Sequence, residues 1–168
     1  MEKLTVKGRE ALEQARQSCV AAGNQQLTGA HLLIALIEQD GGIVPQVLSR
    51  LEVPHGPVLS ELRAQVDAEP TVAGGGAGDI YFAPNTRKAM DQAGVEAKEL
   101  GDGFISTEAL LLGLAKYGRT ASILERHGAT PKKIKEAVTT LRQGATVTDE
   151  NPESKMGAVD KYTRDLTA

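Results

Sequence analysis

The sequence predicts an all-α fold of eight short helices, arranged as two pseudo-symmetric four-helix repeats joined by a glycine-rich linker. The first observation behind this is an internal repeat. Ala11-Leu12-Glu13-Gln14-Ala15 returns 78 positions later as Ala89-Met90-Asp91-Gln92-Ala93, and Gly23-Asn24, Leu27-Thr28 and Leu32-Leu33 return in the same register as Gly101-Asp102, Ile105-Ser106 and Leu110-Leu111. Beyond Asp40 the register slips by two, so that Val47-Leu48-Ser49-Arg50 aligns with Ile123-Leu124-Glu125-Arg126. Self-similarity of this kind fixes architecture before any single motif does. The second observation is composition: 40% of residues are hydrophobic but only 3% aromatic, with no Trp. A core of Ala, Leu, Ile and Val suits closely packed helices better than a sandwich. The third is periodicity, because apolar residues recur at helical spacing between turn residues.

The elements follow in order. Glu10 to Ala22 places Leu12, Ala15, Cys19 and Ala22 on one stripe, and Gly23-Asn24 ends that helix where the chain must turn left-handed. Thr28 is an N-cap for a second helix striped by Leu32, Leu33, Leu36 and Ile37, which Asp40-Gly41-Gly42 breaks. Val44, Val47, Leu48 and Leu51 mark a third. Pro54 to Pro57 opens a fourth, with Val58, Leu59, Leu62 and Val66. The second copy gives Asn85–Leu100, Ser106–Tyr117, Arg119–His127 and Thr130–Arg142, the last opening Thr130-Pro131, a cap followed by proline at the first helical position. The expected organisation is repeat 1 over 1–68, a flexible linker over 69–82, repeat 2 over 83–143, and a polar tether over 144–168 leading toward a further segment.

Charge and cysteine content narrow the function classes. The formal net charge is −3 with both signs interspersed, so no basic stripe is available to track a phosphate backbone and nucleic acid is not an expected partner. Cys19 is the only cysteine, and with no apolar run at the N-terminus and no stretch near membrane-span length the expectation is a cytoplasmic protein without a membrane partner. An even charge pattern without heptads makes the isolated domain an expected monomer.

No residue set assembles into a catalytic centre, and the domain is expected to bind rather than catalyse. Gly74-Gly75-Gly76-Ala77-Gly78 lacks the Lys-Ser/Thr of a phosphate-binding loop and reads as linker. His31, His55 and His127 have no metal-ligand spacing, and His31, one turn into the second helix, is expected to hydrogen-bond structurally near the first. Cys19 lies on an apolar stripe and reads as a buried core residue. Asp102, in the loop before the sixth helix, and Glu108, in that helix's first turn, admit two readings. They are a turn residue and a helix-dipole partner, or a polar pair at the mouth of a groove between the repeats.

Leu4-Thr5 leading to Ala11-Leu12-x-x-Ala15, then Ala30-His31-Leu32-Leu33-x-Ala35-Leu36 and its echo Phe104-Ile105-Ser106-Thr107-Glu108-Ala109-Leu110-Leu111, is similar to the Clp N-terminal repeat over about residues 1–143. That family is a duplicated four-helix unit at the N-terminus of Clp-type AAA+ ATPases. Lys161-Tyr162-Thr163-Arg164-Asp165-Leu166-Thr167 resembles the approach to the first ATPase domain in the ClpB-type disaggregases of bacteria. The resemblance implies a domain that engages unfolded or aggregated polypeptide through an inter-repeat apolar groove and passes it to the ring. It implies that Thr5, Asp102 and Glu108 bind substrate at the groove mouth. It also implies a homohexameric parent that uses ATP and Mg, works with the DnaK chaperone system in the stress response, and leaves this fragment without a cofactor. An adaptor-docking domain of a ClpC- or ClpA-like unfoldase, coupled to a protease, is the alternative. Gln92, Glu96 and Glu99 depart from the resemblance, standing on the fifth helix where ClpB relatives can show leucines.

Overall fold

The computed structural model describes residues 3–71 and 80–143. The glycine run and the Lys161–Thr167 segment lie outside the described residues, as do the rest of 72–79 and of the tail 144–168. Eight helices occur among the described residues. They are α1 (Val6–Ala21), α2 (Gly29–Glu38), α3 (Ile43–Arg50) and α4 (His55–Ala68), then α5 (Pro84–Glu99), α6 (Thr107–Leu114), α7 (Gly118–Arg126) and α8 (Pro131–Arg142).

The largest departure from the sequence expectation is at the start of α1, which begins at Val6 rather than Glu10. Thr5 is its cap, with Oγ1 accepting from the Gly8 amide at 3.0 Å. The buried face of α1 also differs. It is Gly8, Ala11, Ala15 and Cys19, while Leu12 is half-buried and Ala22 exposed. Small side chains win because α1 lies directly against α2, and close helix approach selects small residues over the more hydrophobic leucine.

Both first helices end in the same way. After α1, Gly23 takes φ 73°, the Gly23 amide donates to Val20 O at 3.0 Å and the Asn24 amide to Cys19 O at 3.0 Å. After α5, Gly101 takes φ 78°, Gly101 N donates to Lys98 O at 3.0 Å and Asp102 N to Ala97 O at 2.8 Å. These are paired Schellman closures, and they place Asn24 and Asp102 identically with respect to their helices.

Two short strands supplement the helices: β1 (Gln26–Leu27) pairs in parallel with β2 (Tyr81–Phe82), Leu27 opposite Phe82. Leu4 forms the matching parallel bridge to Ile105. In the repeat register Leu4 corresponds to Phe82 and Leu27 to Ile105, so each repeat lends its leading strand to the loop of the other. The hydrogen bonds obey the same exchange: Thr5 N donates to Ile105 O at 2.9 Å, and Ala83 N to Leu27 O at 3.1 Å. The span expected to be linker is therefore paired at both its ends, at Tyr81–Phe82 and at Thr71, which bridges Asn24.

The two repeats share one core. Every residue of α6 is buried, and α2 buries Ala30 to Leu33 and Ala35 to Ile37. These two helices touch each other and reach across the repeats, α2 to α5 and α7, α6 to α1 and α3. The fully buried large side chains are all Leu or Ile. That is the core the low aromatic content requires. No single helix among the described residues is long and apolar enough to cross a membrane; α2 and α3 pass only as a pair bent by 89°.

Candidate functional site

Asp102 and Glu108 share one buried polar knot around the loop between α5 and α6, and Thr5 is tied to the same loop through its backbone. Thr5 is fully buried, and its backbone pairing with Ile105 sets it one residue from Ser106, the N-cap of α6. Ser106 Oγ accepts from the Ala109 amide at 3.2 Å. Glu108, 1% exposed, stands in the first turn, where a carboxylate favours the positive end of the helix dipole.

The centre of the knot is Arg142, in the last turn of α8. Its Nη1 and Nη2 donate to Asp102 Oδ1 and Oδ2 at 3.0 and 2.9 Å, a two-pronged contact. Its Nε donates to Glu108 Oε2 at 2.8 Å, and Nη2 also reaches Ser106 Oγ at 3.2 Å. The side chains of Arg142 and Asp102 are 3% and 0% exposed. Burial works against the guanidinium charge, but Glu108 and Asp102 outweigh it and hold Arg142 more firmly protonated than usual. Both sequence readings of the two carboxylates thus meet a third fact: each is already engaged by a cation. Arg142 was not legible as a partner, because it lies 34 and 40 positions away. The available signal was only a basic residue in a final helical turn.

The first repeat answers with neutral groups. His31 Nδ1 accepts from the Thr28 amide at 3.0 Å, which leaves the proton on Nε2 to be donated to Asn24 Oδ1 at 3.0 Å. Burial pulls the His31 pKa below its ordinary value, keeping the ring neutral. Cys19 is fully buried, its thiol 3.3 Å from Asn24 O, and burial followed by the Glu69 charge pushes its pKa up. It is a core residue, not a nucleophile. Among the described residues no group of three or more His, Cys, Asp or Glu could hold a metal ion.

Thr5→Ala is expected to lower stability by about 1 kcal/mol, the usual cost of a lost N-cap. Urea unfolding measures it; a change below about 0.2 kcal/mol would show that the Gly8 amide finds another acceptor.

Three clefts lie away from these residues. A cleft of about 450 Å³ is walled by both repeats: Gln65 and Ala68 of α4, Asn85 and Thr86 of α5, and Tyr117 and Arg119 at the start of α7. Its lining is mixed, polar amides beside Ala83 and Pro84, so it is less apolar than the groove expected from the sequence. Neither this cleft nor those beside α1 and α2 (about 490 Å³) and between α2 and α4 (about 260 Å³) is lined by Thr5, Asp102 or Glu108. The repeat register carries Ala83, Thr28 and Gly29 of this cleft onto Thr5, Ser106 and Thr107. The register mates of Asp102 and Glu108, Asn24 and Ala30, do not line the cleft, so cleft and knot overlap only in part under the repeat. At Ser106, the mate of the cleft's Thr28, the Arg142 side chain is buried at 3.2 Å from the hydroxyl.

The polar face of α5 is partly internal. Glu96 is 1% exposed and is held by Lys116 Nζ at 2.7 Å and Gln92 Nε2 at 2.6 Å, while Glu99 meets Lys135 at 3.2 Å. Burial opposes the Glu96 charge, but Lys116 and Gln92 outweigh it and lower its pKa.

Comparison with known proteins agrees with the fold. A family model for the Clp repeat (R) N-terminal domain matches residues 3–127. The chaperone protein ClpB of Bdellovibrio bacteriovorus is 35% identical over 167 residues, covering 98% of this chain and 19% of that protein. The chain thus spans about a fifth of the length of the curated relatives it matches. The Hsp104 N-terminal domain from Candida albicans superposes with a TM-score of 0.77 at 17% identity, covering 89% of this chain and 97% of that one. A ClpV N-domain solved in complex with a VipB peptide gives 0.65 at 18% identity, covering 87% and 91%. From the match over residues 3–127 and a duplicated, strand-exchanged helical fold, the chain belongs to the Clp repeat N-terminal domain family, and ClpB chaperones are among its curated relatives.

Proposed function

We propose that this domain engages unfolded or aggregated polypeptide for a ClpB-type, ATP-dependent disaggregase, and that the inter-repeat cleft is where it does so. The observation that carries the reading is the open cleft walled by α4, α5 and α7, with both repeats contributing to its lining. Mixed walls and little fixed polar readout suit weak, sequence-tolerant binding of extended segments. Weak binding suffices if a homohexameric parent presents six copies around one pore. In that parent ATP and Mg would act in segments outside this chain, with the DnaK system as a partner. Thr5, Asp102 and Glu108 serve the function from beneath the surface by holding the α5–α6 loop in place.

A second reading has one observation in its favour: the ClpV domain was solved with a defined peptide, which suits docking of a particular partner or adaptor. Titration of the ¹⁵N-labelled chain with α-casein, an unfolded polypeptide, separates the two. Substrate engagement predicts fast-exchange shifts at Gln65, Asn85, Tyr117 and Arg119, with a Kd on the order of 100 μM. An absence of shifts at millimolar casein would retire it in favour of partner docking.

A further inference from the structure

The two repeats treat the end of their fourth helix alike. In the first, α4 ends at Ala68, and Asn24 then holds the departing chain: its Nδ2 donates to Pro70 O at 3.1 Å, and its backbone bridges Thr71. In the second, Asp102, at the position equivalent to Asn24, holds Arg142, the last residue of α8. Immediately afterwards Gln143 turns left-handed at φ 53° and the helix is over. The same loop carries the incoming strand, since Ile105 N donates to Lys3 O at 2.8 Å. The start of the domain and the place where the chain leaves it are thus tied to one loop, Asp102–Ser106.

We propose that Arg142 is a positioning residue, a latch that sets where α8 stops. Asp102 and Glu108 act on function through Arg142, without touching polypeptide. The physical case rests on three points. A guanidinium forked by two carboxylates in a buried site is among the stronger side-chain contacts, and lysine cannot reproduce its geometry. The last turn of any helix has carbonyls without helical partners and frays unless something holds it. Every polar contact made by Arg142 given above runs to the α5–α6 loop or the first turn of α6, none to its own helix. With the latch open, the final turn of α8 frays and Thr139 to Gln143 lose their helical hydrogen bonds. The role of Asp102 and Glu108 in function rests on the proposed function; the latch itself does not.

The test uses the 168-residue chain and its Arg142→Gln, Asp102→Asn and Glu108→Gln variants, with Arg142→Lys as a milder fourth should any fail to fold. Amide hydrogen exchange under native conditions is read residue by residue, and each variant is titrated with α-casein. The expected result is exchange faster by about tenfold or more at Thr139 to Gln143, with α2 and α6 unchanged, and Arg142→Lys intermediate. Casein affinity stays within about twofold of the parent chain, because the cleft is not lined by these residues. Unchanged exchange at the end of α8, or faster exchange spread evenly over all helices, would overturn the latch. So would a loss of casein affinity in any variant, which would make the knot part of the binding surface. If the parent chain binds no casein, the functional reading fails while the exchange result still decides the latch.

Discussion

Gly113→Ala is expected to lower the stability of this domain by about 3 kcal/mol or more, although alanine is the better helix former by about 1 kcal/mol. A Cβ at Gly113 would lie 2.1 Å from the carbonyl oxygen of Ala89 and 3.2 Å from the Ala93 amide nitrogen, both backbone atoms of α5. No rotamer can relieve such a contact, so α6 must move bodily away from α5. All of α6 is buried, and moving it disturbs α1, α2, α3, α7 and α8 together. The repeat register places Ala35 opposite Gly113, so the first repeat carries a methyl group where the second has none. The substitution thus asks the second repeat to accept a side chain the first already holds. Urea or thermal unfolding provides the measurement. A variant within about 0.5 kcal/mol of the parent would show that the two helices can separate at little cost.

Lys116→Met is the second large effect, about 3 kcal/mol at neutral pH. It strands the Glu96 carboxylate, 1% exposed, without its cation, and removing one partner of a buried pair costs more than the pair contributes. The estimate sits at the low end because the Lys116 side chain is 36% exposed and Lys135 also favours the Glu96 charge. The pH dependence has a definite sign. In the parent chain the Glu96 pKa is lowered, so the carboxylate adds stability above the unfolded value of about 4.3 and loses it as pH falls through the lower folded value. In the variant burial dominates and the pKa rises; the penalty is then full at pH 7 and fades as the group protonates. The gap between the two proteins should therefore narrow steadily toward pH 4. A gap independent of pH would mean that Glu96 is not the group left unpaired. Glu96→Leu in the Lys116→Met background should recover most of the loss, since an apolar pair of similar volume fills the site without a stranded charge.

The same side chain shows what a sequence can and cannot convey. In the sequence Gln92, Glu96 and Glu99 stand out only as polar residues on the fifth helix where ClpB relatives can show leucines. Glu96 is internal because Lys116, 20 positions away, arrives from beyond α6 to meet it. Asp102 and Glu108 behave likewise: their place in a loop and in a first turn was readable, but their shared cation was not. The face of α1 was misjudged for a related reason. Leu12 and Ala11 fit a helical stripe equally well, and only the nearness of α2 favours the smaller residue.

The sequence alone determined the duplication, the eight helices, their caps at Thr28, Ser106 and Thr130, the left-handed stops at Gly23 and Gly101, and an aliphatic core. All of these depend on residues a few positions apart, or on one segment resembling another. The tertiary structure decided the strand exchange between repeats, the gathering of Asp102 and Glu108 around Arg142, and the burial of Glu96. Those depend on which side chains meet after distant helices pack. A buried charge chooses its partner by geometry and desolvation in the finished core, and neither is written in local spacing.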